Sequence, residues 1–223
     1  GIYNGLLLCF FHIMPAKAGI MTFGNGLENA KKYQYNYNKV FYYFHERKYY
    51  IMAKTIITAA LTGAITPHGY DVPETPEEIA KTAYECWKAG AAIVHLHMRD
   101  DNGAGVMDPV KFYETIKLIR KNYPDCDVII NCTSSGDNRV SDDSPYGNAV
   151  RMLHHANVPG IEMGTFDAGT FNWGIPGGIF SNSPTFLTTL GNLYQERNIK
   201  PEFEVFDMGM IRAVGVYWKK GIV

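Results

Sequence analysis

From residue 54 onward, apolar positions gather into short runs rich in β-branched residues, and the stretches between them carry helix-start signals. "KTIITAAL" (54–61), "AAIVHLH" (91–97), "DVIINCT" (127–133), "GIEMGTF" (160–166) and "EFEVF" (202–206) read as strands, spaced 33 to 42 residues apart. Each gap can hold a helix. Four of these helices are announced alike: Thr75-Pro76, Asp108-Pro109, Ser144-Pro145 and Ser183-Pro184 each set a capping side chain before a proline at the first helical position. Thr75 is followed three residues on by Glu78, which predicts a capping box, and Gly90 closes that helix in a left-handed conformation. A fifth helix is expected over about 208–220, with Gly221 just past it. Strand and helix alternating at this rhythm predict a parallel sheet with helices packed outside it.

The choice between an open sheet and a barrel turns on where the polar residues fall. A dinucleotide-binding sheet needs G-x-G-x-x-G after its first strand, and a phosphate-binding loop needs G-x-x-x-x-G-K-[ST]. The first strand runs instead into "TGAITPHGYDVPETPEE". Polar side chains collect at several strand ends: His95, His97 and Arg99; Asn131, Thr133 and Ser134; Thr165 and Asp167; Glu204 and Asp207. Active sites of (β/α)8 barrels are assembled from such ends. The expected fold is therefore α/β, a (β/α)8 TIM barrel truncated to about its first five βα units, because a whole barrel takes eight units and typically about 250 residues. Half a barrel leaves two edge strands unpaired.

Composition divides the chain of 223 residues at Met52. Residues 1–51 hold 13 of the 30 aromatic residues, carry six Lys and Arg against two Asp and Glu, and show no sustained periodicity. "GLLLCFFHIMPAKAG" has a short apolar run and an A-x-A-like site, but it lacks the basic start of a secretory signal. The preferred reading is an upstream extension, 1–51, outside the fold, and a partial barrel domain, 52–223. The formal net charge of −1 offers no attraction for nucleic acid. No apolar run approaches the ~20 residues of a membrane span. Four cysteines at no zinc-like or disulfide-scaffold spacing read as free thiols of a reducing compartment, which makes the expected location cytoplasmic.

His95 and His97 are the most chemically suggestive pair. Side chains alternate faces along a strand, so both imidazoles point the same way, and H-x-H at a strand end is a good bidentate clamp for zinc. The residues alone leave a second reading open, in which two inward histidines are satisfied by core hydrogen bonds. Arg99 shares their parity; its plain reading is a surface ion pair with Asp100 or Asp101.

The motifs "TAALTGAIT", "TPEEIAKTAYECWKAGAAIVHLHMRDDNG", "INCTSSG", "EMGTFDAGTFNWG" and "PEFEVFDMGMIRAV", in this order, resemble the β-keto acid cleavage enzymes over about 52–223. The resemblance implies a zinc-dependent barrel, usually a homotetramer, that exchanges acyl units between a β-keto acid and acetyl-CoA, giving acetoacetate and a new acyl-CoA. Its best-known activity, 3-keto-5-aminohexanoate cleavage, belongs to lysine fermentation. By this likeness His95 and His97 are metal ligands and Thr133, Ser134, Thr165 and Asp167 contact substrate. Glu204 is the buried catalytic carboxylate. Backbone N–H groups around Ser135-Gly136 could add donors to an anion. In the family a later glutamate is the third zinc ligand, with an aspartate and an arginine nearby; none can be assigned here, which puts activity of this chain in question. Two further departures bear on substrate. Asparagine is more usual where Asp167 stands, and Ile65 replaces a glutamate suited to the substrate ammonium of the aminohexanoate enzyme. A neutral or different β-keto acid fits Ile65 at least as well.

Plainer readings cover the remaining candidates. Glu202, at its strand start, is expected to be solvated; Asp71, Glu74 and Asp142-Asp143 read as loop charges. His154-His155, late in a helix, suit the C-terminal dipole. Cys132 reads as a core thiol. Two competing functions remain: a metal-dependent aldolase-type barrel lyase without CoA, and a non-catalytic fragment with a weak two-histidine metal site.

Overall fold

The computed structural model describes residues 56–64, 69, 71–135, 144–174 and 177–223. The proposed extension 1–51, Ile65 and the Asp142-Asp143 pair lie outside the described residues.

All five predicted strands form; the first four are shorter than the apolar runs that announced them, and the fifth keeps its length but starts two residues earlier. They are β1 (Thr58–Ala60), β2 (Ile93–Leu96), β5 (Ile129–Cys132), β6 (Met163–Asp167) and β9 (Lys200–Glu204). They pair in parallel, and their order across the sheet, β1-β2-β5-β6-β9, is their order in the chain. A doubly wound sheet would reverse that order at a switch point; a barrel does not. The sheet also curls. Thr58 Oγ1 on one outer strand donates to Glu202 Oε1 on the other at 3.5 Å.

The five described helices are α1 (Pro76–Lys88), α2 (Pro109–Asn122), α3 (Pro145–Asn157), α4 (Pro184–Arg197) and α5 (Met208–Lys219). The first four start at the predicted caps. Thr75 accepts from Glu78 N at 3.2 Å, and Glu78 Oε2 accepts from Thr75 N at 3.1 Å, completing the capping box. The backbone N–H groups of Thr75 and Glu74, both donating to this carboxylate, hold it below its usual range. Asp108, Ser144 and Ser183 accept from Val110 N, Gly147 N and Phe186 N. Asp207 does the same for Met210 N at 2.9 Å, so this carboxylate, grouped by sequence with the strand-end residues, serves as a helix cap. Gly90 takes the expected positive φ of 107° just after α1.

Two antiparallel hairpins, β3-β4 (Met98–Arg99 with Gly105–Val106) and β7-β8 (Phe171–Gly174 with Gly177–Phe180), add to the expected elements. The first is closed by Asp100, whose Oδ1 accepts from Asn102 N and Ala104 N, with Gly103 at φ 77°. Two-residue strands carry too little pattern for sequence to reveal.

The main core lies between sheet and helices. Val94, Leu96, Ile130, Cys132 and Phe166 point outward and pack with Ile79, Phe112, Ile119, Phe186 and Tyr194. The opposite parity, including His95, Asn131, Thr165 and Glu202, lines the inside of the curl. No described helix is long and apolar enough to cross a membrane. Gly164 sits where Tyr194 and His155 press on β6: a Cβ there would meet the Tyr194 hydroxyl and lie 2.8 Å from His155 Nε2. Gly164→Ala is expected to destabilise the fold by about 1–3 kcal/mol through overpacking, measured by urea unfolding.

Candidate functional site at the strand ends

Strand parity brings His95 and His97 to one face, as expected. Their Nε2 atoms stand 2.8 Å apart, with the rings edge to face and their centroids 4.8 Å apart. In this contact one ring donates and the other accepts. Two imidazole nitrogens on a tetrahedral zinc stand about 3.3 Å apart. The two rings are close enough to share such an ion once this hydrogen bond opens and both nitrogens turn toward a common point. Among the described residues, no group of three or more His, Cys, Asp or Glu is arranged to hold a metal.

Arg99 departs from its expected surface ion pair. It is buried, and its two terminal nitrogens donate to Ala64 O and Gly63 O, each at 2.9 Å. Burial pushes its pKa down, against a smaller opposing effect of Glu74. Asp101 instead meets Lys111, at 3.0 Å. The reason is the β3-β4 hairpin, which turns Arg99 back over the loop after β1.

Glu202 also departs from expectation. Instead of being solvated, it faces inward and accepts from Asn131 Nδ2 and Thr58 Oγ1. Burial raises its pKa, with those two hydrogen bonds opposing. Asn131 is itself fully buried, and its Oδ1 finds no partner among the described residues.

The predicted substrate contacts are brought together in part. Ser134 N donates to Thr165 Oγ1 at 2.9 Å, and the two hydroxyls stand 3.4 Å apart. The Thr133 hydroxyl is engaged in its own turn, donating to Ser135 O and accepting from Ser135 N at 2.9 Å. That bond occupies the Ser135 N–H expected to be available to an anion, and Gly136 lies outside the described residues. Asp167 is 3% exposed and is the cross-strand partner of Glu204. Burial first, and then the Asp167 charge, pushes the Glu204 carboxyl well above its usual range. Burial raises Asp167 as well, while a hydrogen bond with Glu204 and the charge of Arg151 oppose it. Two buried carboxyls this close disfavour a second negative charge, so the pair as a whole resists full ionisation.

Beneath the strand ends lies a polar layer that the sequence reading did not identify as part of the site. Arg151, His154 and His155 project from α3 and are all buried. His154 Nε2 lies 2.8 Å from Thr133 O, and His155 Nε2 lies 3.2 Å from Cys132 O. His154 stacks on Phe112, and Tyr194 Oη donates to Thr165 O at 2.8 Å. Neither histidine is the dipole-stabilised cation expected from its place in the helix. Burial drives both pKa values down, His155 to about 3. The available signal was spacing, since i, i+3 and i+4 put all three on one helical face. Cys132, wholly buried with its pKa raised, is the expected core thiol.

A monotonic, curled parallel sheet with helices outside and a polar cluster at its strand ends defines a segment of a (β/α)8 barrel of the enzyme type. The chain belongs to the β-keto acid cleavage enzyme family, whose model matches residues 54–223. It is 39% identical over 175 residues to a 3-keto-5-aminohexanoate cleavage enzyme of Fusobacterium nucleatum, across 78% of this chain and 60% of that one. It is 34% identical over 187 residues to a 3-dehydrocarnitine:acetyl-CoA trimethylamine transferase of Rhizobium meliloti, across 76% of this chain and 61% of that one. This chain thus spans about 60% of the length of these curated relatives. A solved structure of ObcA, a ternary complex with a C4-CoA adduct and oxalate, shares the fold: TM-score 0.56 and 22% identity over 67% of this chain and 34% of that one.

The buried histidines set an acid limit on stability. Their folded-state pKa values lie below the ordinary 6.5, so at lower pH the unfolded chain binds protons that the folded one refuses. The stability each neutral histidine contributes is complete above about pH 7.5 and falls as pH drops below 6.5, by about 1.4 kcal/mol per pH unit, for His155 down to about 3. The raised Glu204 carboxyl acts in the opposite sense, so the histidine effect is read as a difference: between pH 6 and 5, urea unfolding of His155→Gln is expected to lose about 1.4 kcal/mol less stability per pH unit than the unsubstituted protein.

Proposed function

We propose that the protein carrying this segment is a zinc-dependent acyltransferase that exchanges acyl units between a β-keto acid and acetyl-CoA, giving acetoacetate and a new acyl-CoA. The observation that carries this reading is the convergence of His95 Nε2 and His97 Nε2, 2.8 Å apart, at the strand ends of a barrel of this family. The acetyl-CoA transferase named among the relatives supports the co-substrate.

His95 and His97 would hold the zinc, with a further protein ligand from outside the described residues. When bound, the metal would polarise the keto carbonyl and stabilise enolate charge during C–C bond cleavage. Thr133 and Ser134, at the end of β5, address the substrate carboxylate, and Thr165 braces Ser134 through its hydroxyl. Glu204 touches the reacting substrate as a carboxyl whose pKa is raised well above the usual range by burial and by the neighbouring Asp167. Asp167 stands where asparagine is more usual and bears on substrate preference. Ile65 offers no partner for an ammonium, so a β-keto acid without one suits that position at least as well as the aminohexanoate. By the same reading the protein works as a cytoplasmic homotetramer.

Three outcomes separate the readings. Acetoacetate formation that requires both a β-keto acid and acetyl-CoA supports the proposal; cleavage without CoA points to an aldolase-type lyase; a folded protein with neither zinc nor turnover is non-catalytic. His95→Ala and His97→Ala are each expected to lower zinc content, measured by mass spectrometry, and to reduce turnover at least about 1,000-fold.

A further inference from the structure

The buried guanidinium of Arg151 joins two loops that leave different strands. Arg151 is 1% exposed. Its Nε donates to Ser134 O at 2.9 Å, in the turn after β5. Its Nη1 donates to Ser181 O at 2.9 Å, and its Nη2 donates to Asn182 Oδ1 at 2.5 Å. Asn182 carries the connection on: its Nδ2 donates to Gly169 O at 3.1 Å, and its backbone N–H donates to Thr170 Oγ1 at 2.9 Å. Gly169 N in turn donates to Asp167 O at 2.8 Å. An unbroken chain of hydrogen bonds thus runs from Ser134, through Arg151 and Asn182, to the turn that carries Asp167.

The guanidinium is also gripped by apolar groups. The Phe186 ring lies 3.8 Å from its central carbon and the Phe180 ring 4.8 Å. A planar fork between two rings, with bonds leaving in three directions, has one orientation available to it.

We infer that Arg151 is a positioning residue of the strand-end site: its guanidinium fixes the separation between the Ser134 turn and the Asp167–Thr170 turn, and so the spacing of the groups that address the β-keto acid. The inference rests on the proposed substrate contacts of Thr133, Ser134 and Asp167. A lysine keeps the charge but cannot reach Ser134 O, Ser181 O and Asn182 Oδ1 together. The charge of Arg151 also opposes the burial that raises the Asp167 carboxyl.

Arg151→Lys and Asn182→Asp test the inference without emptying the layer. Asp at 182 retains the acceptor for Arg151 and loses the donor to Gly169 O. Hydrogen exchange is the readout independent of turnover. In R151K, exchange at the amides of Ser134, Ser135 and Gly169 is expected to rise at least tenfold, with α1 and β2 unchanged; in N182D the increase is confined to the Gly169 turn. The KM for the β-keto acid is expected to rise about tenfold in R151K, with the KM for acetyl-CoA unchanged. Unchanged exchange at both turns in R151K overturns the inference, as does a uniform rise across the whole domain with equal losses for both substrates. If the unsubstituted protein turns over no β-keto acid, the proposed function fails, and exchange alone still judges the role of Arg151.

Discussion

Alternation along five curled parallel strands assigns each residue to one of two compartments, and both core and site depend on that division. Val94, Leu96, Ile130, Cys132 and Phe166 face the helices and build the apolar layer. His95, Asn131, Thr165 and Glu202 face inward, where polar groups must satisfy one another. A register slip of one residue would exchange the two sets, putting imidazoles into the core and Phe166 into the mouth.

Both compartments draw ionisable groups out of water, and the structure meets that cost by hydrogen-bond partners and by backbone contacts. Burial raises the paired Glu204 and Asp167 carboxyls, while Glu202 takes hydrogen bonds from Asn131 and Thr58. His154 and His155 remain neutral against strand-end carbonyls. Arg99 and Arg151, the two buried guanidiniums among the described residues, direct donors to backbone carbonyls, with the Asn182 side chain as an addition for Arg151. Such carbonyls occur where strands end and turns leave the ladder. That is also where a barrel enzyme needs rigid loops.

The helices contribute more than cover. Arg151, His154 and His155 project from α3 into the carbonyls that β5 exposes as it ends, and Tyr194 reaches Thr165 O from α4. Gly164 admits this close approach, since no Cβ stands between β6 and the Tyr194–His155 contact. The outer core and the inner site are therefore joined through backbone, so packing changes on the helical side reach the strand ends.

Local chemistry was legible in the sequence. Five strands, four proline-marked helix starts, the Thr75–Glu78 capping box and the shared face of His95 and His97 follow from period-2 alternation and capping, which act over a few residues. The family was legible from consecutive motifs, because those motifs follow one another through the range that the family model matches. What tertiary structure alone decided involved partners distant in sequence. Arg99 turned from a surface ion pair to the Gly63 and Ala64 carbonyls, Glu202 turned inward to Asn131, Asp207 became a cap, and α3 gave the site Arg151 and its histidines. Sequence determines which face a side chain takes within its own element; which distant carbonyl or carboxylate awaits it there is set only when the sheet curls and the helices close over it.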